Sequence, residues 1–102
     1  MSGVNFVSMP EMGVLSKSRI EKAAQRTLSK LQTIINNEVD LKVRFKQRHE
    51  AGKREKHIVH LHLTAPGISL LSTAADWQIV TALQKALKTL EKEALKSLKQ
   101  RH

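Results

Sequence analysis

Between residues 39 and 63 the chain twice sets apolar side chains at every second position: Val39, Leu41, Val43 and Phe45, then Val59, Leu61 and Leu63. A period of two belongs to a strand that turns one face to a core and the other to water. The alternate positions agree, with Asp40, Lys42, Arg44 and Lys46 in the first run and His60, His62 and Thr64 in the second. HEAGKREK, between the runs, contains Gly52, has no apolar side chain beyond Ala51, and reads as a mobile connection between antiparallel strands. Pro66 and Gly67 then supply the fixed φ and the permissive φ wanted at the middle of a tight turn, and ISLLSTA returns as a further strand. If Ala65 faces Ile68 across that turn, Leu63 faces Leu70 and His62 faces Leu71. This register sends Leu70 to the core and leaves Leu71 on the outer face.

On both sides of this region the apolar period lengthens. In LSKSRIEKAAQRTLSKLQTIIN, Ile20, Ala23, Ala24, Leu28, Leu31 and Ile35 recur at helical steps. Ser18 followed by Glu21 fits a capping box, with Ser16 as an earlier cap, and Asn36 and Asn37 suit the stop. In ADWQIVTALQKALKTLEKEALKSLKQRH the stripe is Val80, Leu83, Leu87, Leu90, Ala94 and Leu98, with Asp76 placed to cap the start. A helix of about 24 residues is roughly 36 Å long and a strand of about eight nearer 27 Å, so the last helix is expected to overhang the sheet with Lys96, Lys99 and Arg101. At the front, Val4, Phe6 and Val7 allow a short strand, followed by a loop through Pro10 and Gly13. A strand there can join beside that of Val39 through the first helix as a crossover. Stacking the helices on one face of the sheet buries every apolar side at once. The expected fold is therefore α+β, a β-α-β-β-β-α two-layer sandwich with two helices on one face of a mostly antiparallel four-stranded sheet.

Both helical stretches also carry a cationic stripe. Arg19, Lys22, Arg26 and Lys30 fall at steps of three and four in the first, and Lys85, Lys88, Lys92, Lys96 and Lys99 in the second. Like charges four apart on a helix repel by a few tenths of a kcal/mol per pair, a cost best tolerated when an anion lies opposite. The whole chain of 102 residues has 18 Lys and Arg against 9 acidic residues, a formal charge of +9. An excess that large speaks about partners, with polyanions first. The length suits one domain, taken as residues 1–102. The absence of cysteine rules out disulfides and thiolate metal sites. The start, MSGVNFVSMPEMG, lacks the pattern of a secretory signal, and no apolar run reaches membrane length, so a soluble cytoplasmic protein is expected.

The order of these elements, with LSKSRIEKAAQRTLSKL near the start and ALQKALKTLEKEALKSLKQRH at the end, resembles the ribosome hibernation-promoting factor family, also called ribosomal subunit interface proteins. The resemblance runs from about Val4 to the C-terminus and corresponds to the short form of the family. It implies a β-α-β-β-β-α fold that sits on small-subunit ribosomal RNA where messenger and transfer RNA would lie. Such a protein silences the ribosome under stress or in stationary phase. Carried over by position, Lys22, Arg26 and Lys30, flanked by Arg19, would contact RNA from the first helix, and Lys85, Lys88, Lys92, Lys96 and Lys99 from the second. The implied partner is the small ribosomal subunit, with no membrane, cofactor or small-molecule substrate, and a monomer when free. Lys42, Arg44 and Lys46 on the outer sheet face are secondary RNA-binding candidates.

Other chemistries fit less well. His57, His60 and His62 suggest a metal, but cationic neighbours and the lack of a third ligand favour solvent-facing histidines on a basic face. Catalysis needs a converging nucleophile, base and anion-stabilising group, and no such set is visible. Trp77, near a helix start, reads as a core or rim residue. A double-stranded RNA-binding domain shares α-β-β-β-α order, but places lysines where this chain has AADWQIV. A coiled-coil seam through Leu83, Leu87 and Leu90 is too short to prefer.

Overall fold

The computed structural model describes residues 3–49, 52 and 55–99, with no side-chain description at His49, Leu98 and Lys99. The expectations placed on the side chains of Leu98 and Lys99, and on Arg101, lie outside the described residues. Six elements follow in the order β1 (Gly3–Val7), α1 (Val14–Ile35), β2 (Asp40–His49), β3 (Glu55–Ala65), β4 (Ile68–Asp76) and α2 (Ile79–Lys99). The four strands form one sheet in the order β1-β2-β3-β4, with β1 parallel to β2 and the other pairs antiparallel. α1 is the crossover that the parallel pair requires.

The alternating pattern translates directly into burial. Val39, Leu41, Val43, Phe45, Val59, Leu61 and Leu63 join Ile20, Leu28 and Leu31 of α1 and Leu83, Leu87 and Leu90 of α2 in one hydrophobic core. The expected turn register holds, with Ala65 paired to Ile68, Leu63 to Leu70 and His62 to Leu71. Gly67 has φ 76°, a conformation open to glycine at no steric cost in that turn. Leu70 packs against the core while Leu71 is 73% exposed on the other face. Val4 and Phe6 of β1 also pack on the core, where the rings of Phe6 and Phe45 stack with centroids 6.3 Å apart.

Three expectations need correction. α1 starts at Val14 behind Gly13, with no side-chain cap, so neither Ser16 nor Ser18 caps it. Val14 and Leu15 are 85% and 77% exposed, so the first turn lies outside the apolar stripe that signalled the helix. The charged stretch between β2 and β3 belongs to the sheet at both ends: His49 pairs with Glu55 and Arg48 with Lys56, which leaves residues 50–54 between the strands. Ladder hydrogen bonds come from the backbone, and exposed polar side chains do not interrupt them. As a result β2 and β3 have 10 and 11 residues and α2 has 21. At about 3.3 Å per strand residue and 1.5 Å per helical residue the strands are as long as the helix, and the reasoning for an overhang falls.

α1 does stop as read, at Asn36 in the left-handed conformation with its N–H bonded to the Gln32 carbonyl. Asp76 acts slightly before α2: its Oδ1 accepts from the Gln78 N–H at 3.0 Å, while the Gln78 carbonyl accepts from the Ala82 N–H. The buried Ser72 hydroxyl donates to the Ala86 carbonyl at 2.8 Å and ties β4 to α2.

Candidate nucleic-acid interface

α1 and α2 lie side by side on the sheet, and the groove between them opens as two adjoining hollows of about 440 and 220 Å³. Arg19, Lys22 and Arg26 line it from α1 and Lys88 from α2, with Gln84 between them. All four cations are exposed. The positions follow from helical phase. With about 100° per residue, Arg19, Lys22, Arg26 and Lys30 fall within a sector of roughly 80°, so α1 presents one coherent line.

The α2 stripe, Lys85 to Lys96, spans a sector of the same width but, apart from Lys88, faces away from the groove. Steps of four advance about 40° beyond a full turn, so Lys88, Lys92 and Lys96 drift progressively away from the α1 side. Lys88 borders the groove, whereas Lys92 and Lys96 are exposed beyond it. Lys85 turns to Asp76, with Nζ 2.7 Å from Oδ2. That bond, then the Gln78 N–H, holds the Asp76 carboxyl below its ordinary range. At the other end Glu91 sits between the helices, 3.9 Å from Lys30 Nζ and 3.5 Å from the hydroxyl of the nearly buried Thr27. Lys30 remains 60% exposed in its side chain. The groove thus has cationic rims, Arg19, Lys22 and Arg26 on one side and Lys88 on the other, and an acidic stop at Glu91. The pairing of Asp76 with Lys85 and of Glu91 with Thr27 is not legible in the sequence, where the partners lie nine and 64 positions apart; neither spacing is a helical neighbour relation.

Such an arrangement suits a phosphate backbone. Several long cations flank a channel with amide and hydroxyl donors, and no apolar pocket encloses a small ligand there. The secondary candidates occupy the opposite side of the sheet: Lys42, Arg44 and Lys46 are exposed on β2, next to His60 and His62 on β3. His57 follows the inward phase of β3 and is therefore separated from the other two histidines; its Nδ1 is buried without a hydrogen-bond partner among the described residues. No group of three or more His, Cys, Asp or Glu that could hold a metal occurs among the described residues. Trp77 precedes α2 at the rim, 40% exposed, with Lys56 Nζ 5.4 Å from its ring centroid. Among the described residues no helix is long and apolar enough to cross a membrane.

No family model matches the chain, and no curated protein matches it by sequence. Solved structures do share its fold. The N-terminal domain of Protein Y from Thermus thermophilus is similar with a TM-score of 0.66 and 18% identity, over 93% of this chain and 96% of that one. A ribosomal subunit interface protein from Coxiella burnetii is similar with a TM-score of 0.66 and 14% identity, over 92% of this chain and 94% of that one.

Proposed function

We propose that this chain is a ribosome-associated translation inhibitor of the hibernation-factor type, acting as one domain. It engages small-subunit ribosomal RNA with the interhelical groove, covers the path of messenger and transfer RNA, and silences the ribosome under stress or in stationary phase. The observation that carries this reading is the line of Arg19, Lys22 and Arg26 facing Lys88 across an open groove. Cations on both rims can meet phosphates of two backbone segments at once, as folded RNA offers and a single extended strand does not. The likeness to a ribosomal subunit interface protein and to Protein Y supports the choice of partner. The protein acts in the cytoplasm and is a monomer when free.

The outer cations Lys92 and Lys96 extend the contact beyond the groove, while Lys85 and Lys30 exchange Asp76 and Glu91 for phosphate on binding. A generic duplex binder is the less favoured reading, because β1 adds a parallel strand that the α-β-β-β-α order lacks.

Co-sedimentation with purified ribosomal subunits, with a duplex RNA as competitor, tests the proposal. Preferential pelleting with the small subunit that excess duplex does not reverse is the expected result. Equal partition between the subunits and the competitor would leave only a general affinity for duplexes.

A further inference from the structure

The sheet face turned away from the helices carries a second cationic line with a different geometry. Lys42, Arg44 and Lys46 follow one another at every second residue of β2, which sets neighbours about 6.8 Å apart. That step is comparable to the spacing of successive phosphates in an extended single strand. A single line of charge matches one backbone and leaves the second strand of a duplex without a partner.

The adjoining strands complete a site. β3 sets His62 opposite Lys42 and His60 opposite Arg44, and β4 sets Leu71 opposite His62. These six residues line a shallow trough of about 280 Å³. Its cations form one wall, the imidazoles the floor, and Leu71, 73% exposed, the far side. Side-chain hydrogen bonds orient both rings: His60 Nδ1 lies 3.1 Å from the Thr73 hydroxyl and His62 Nε2 2.9 Å from that of Ser69. Asp40, at the start of β2, is the one carboxylate on this face among the described strand residues.

We infer that this trough binds an extended segment of single-stranded RNA, with its phosphates along β2 and its bases lying over His60, His62 and Leu71. Stacking on flat and apolar side chains accepts any base, so recognition is tolerant of sequence. The site lies across the sheet from the interhelical groove and does not depend on the ribosome reading. Occupied together, the two faces let one molecule hold folded RNA on one side and a single strand on the other.

Fluorescence anisotropy with a short labelled oligouridylate and the full chain tests this, with a hairpin duplex as comparison. Three neutralised phosphates, each contributing about −0.7, give a slope near −2 in log affinity against log salt. The variant Lys42→Gln/Arg44→Gln/Lys46→Gln is expected to lose about tenfold or more in affinity and to flatten that slope. Leu71→Ser is expected to weaken binding and leave the slope unchanged. An Arg19→Gln/Lys22→Gln/Arg26→Gln variant is expected to bind the oligouridylate as the parent does. Equal binding by the parent and the β2 variant would overturn the inference, as would a loss of the same size from the helix variant. A β2 variant that lost hairpin and oligouridylate binding equally would also overturn it, by showing a general charge effect.

Discussion

The two basic surfaces use the same residue types on opposite sides of one sheet, yet they differ in how the charge is arranged and how much of it is opposed. On the helix side, Lys85 is paired with Asp76 and Lys30 approaches Glu91, so the open cations narrow to those lining the groove and the outer crest of α2. On the sheet side, the strand period holds Lys42, Arg44 and Lys46 in one row beside histidines. A helix spreads its charge around a cylinder, and a four-residue repeat drifts; a strand keeps its charge in line. The same residue types therefore make a two-rimmed groove in one place and a single row in the other.

The largest effect should come from the part both surfaces share. Leu61 is 1% exposed in the core beneath them, and Leu61→Ala is expected to cost about 2–5 kcal/mol of stability by denaturant titration, weakening both binding activities together. If one activity survived intact in a largely unfolded protein, the shared scaffold would not be what positions the two faces. Next comes reversal within the groove. Arg19→Glu/Arg26→Glu/Lys88→Glu should lower small-subunit affinity by about 100-fold or more, since each lost phosphate contact removes about 0.7–0.9 from the salt slope and each new carboxylate repels. The melting temperature should change little, because all three side chains are exposed.

A smaller change sharpens the contrast from the other direction. Glu91→Gln removes the acidic stop at the end of the groove and is expected to raise affinity for RNA several-fold at low salt, an advantage that disappears as ionic strength rises. An unchanged affinity would mean that RNA does not reach that end of the groove. The smallest effect concerns Asp76. Its pKa is depressed in the folded protein, so its contribution to stability is present above the unfolded value and is lost as the pH falls through the folded one. Asp76→Asn should therefore flatten the acid limb of the stability curve below about pH 4 and, by releasing Lys85 for phosphate, raise RNA affinity slightly at low salt. Stability curves of identical shape in that range would show that the Lys85 contact does not persist in solution.

Much of this architecture was legible because it depends on side-chain period and turn chemistry. Pro66 and Gly67 set the β3–β4 register, and with it the exposure of Leu71. The stripe ending at Asn36 located the C-terminus of α1. The first turn of α1 escaped notice because Gly13 caps it without a side-chain bond and Val14 and Leu15 face solvent. The ends of β2 and β3 escaped because His49, Glu55 and Lys56 look like loop residues, whereas their pairing is a property of the backbone. In the candidate site the stripes themselves could be read, but which cations meet a carboxylate could not. Glu91 reaches Thr27 and Lys30 only after two helices distant in sequence pack together.

The most direct measurement is sedimentation of three proteins with purified small ribosomal subunits across one salt series: the parent, the groove variant Arg19→Glu/Arg26→Glu/Lys88→Glu, and Lys42→Glu/Arg44→Glu/Lys46→Glu. The account predicts that the parent and the sheet-face variant pellet with the subunit at low salt while the groove variant stays in the supernatant. A groove variant that pellets like the parent, with the sheet-face variant left behind, would contradict it.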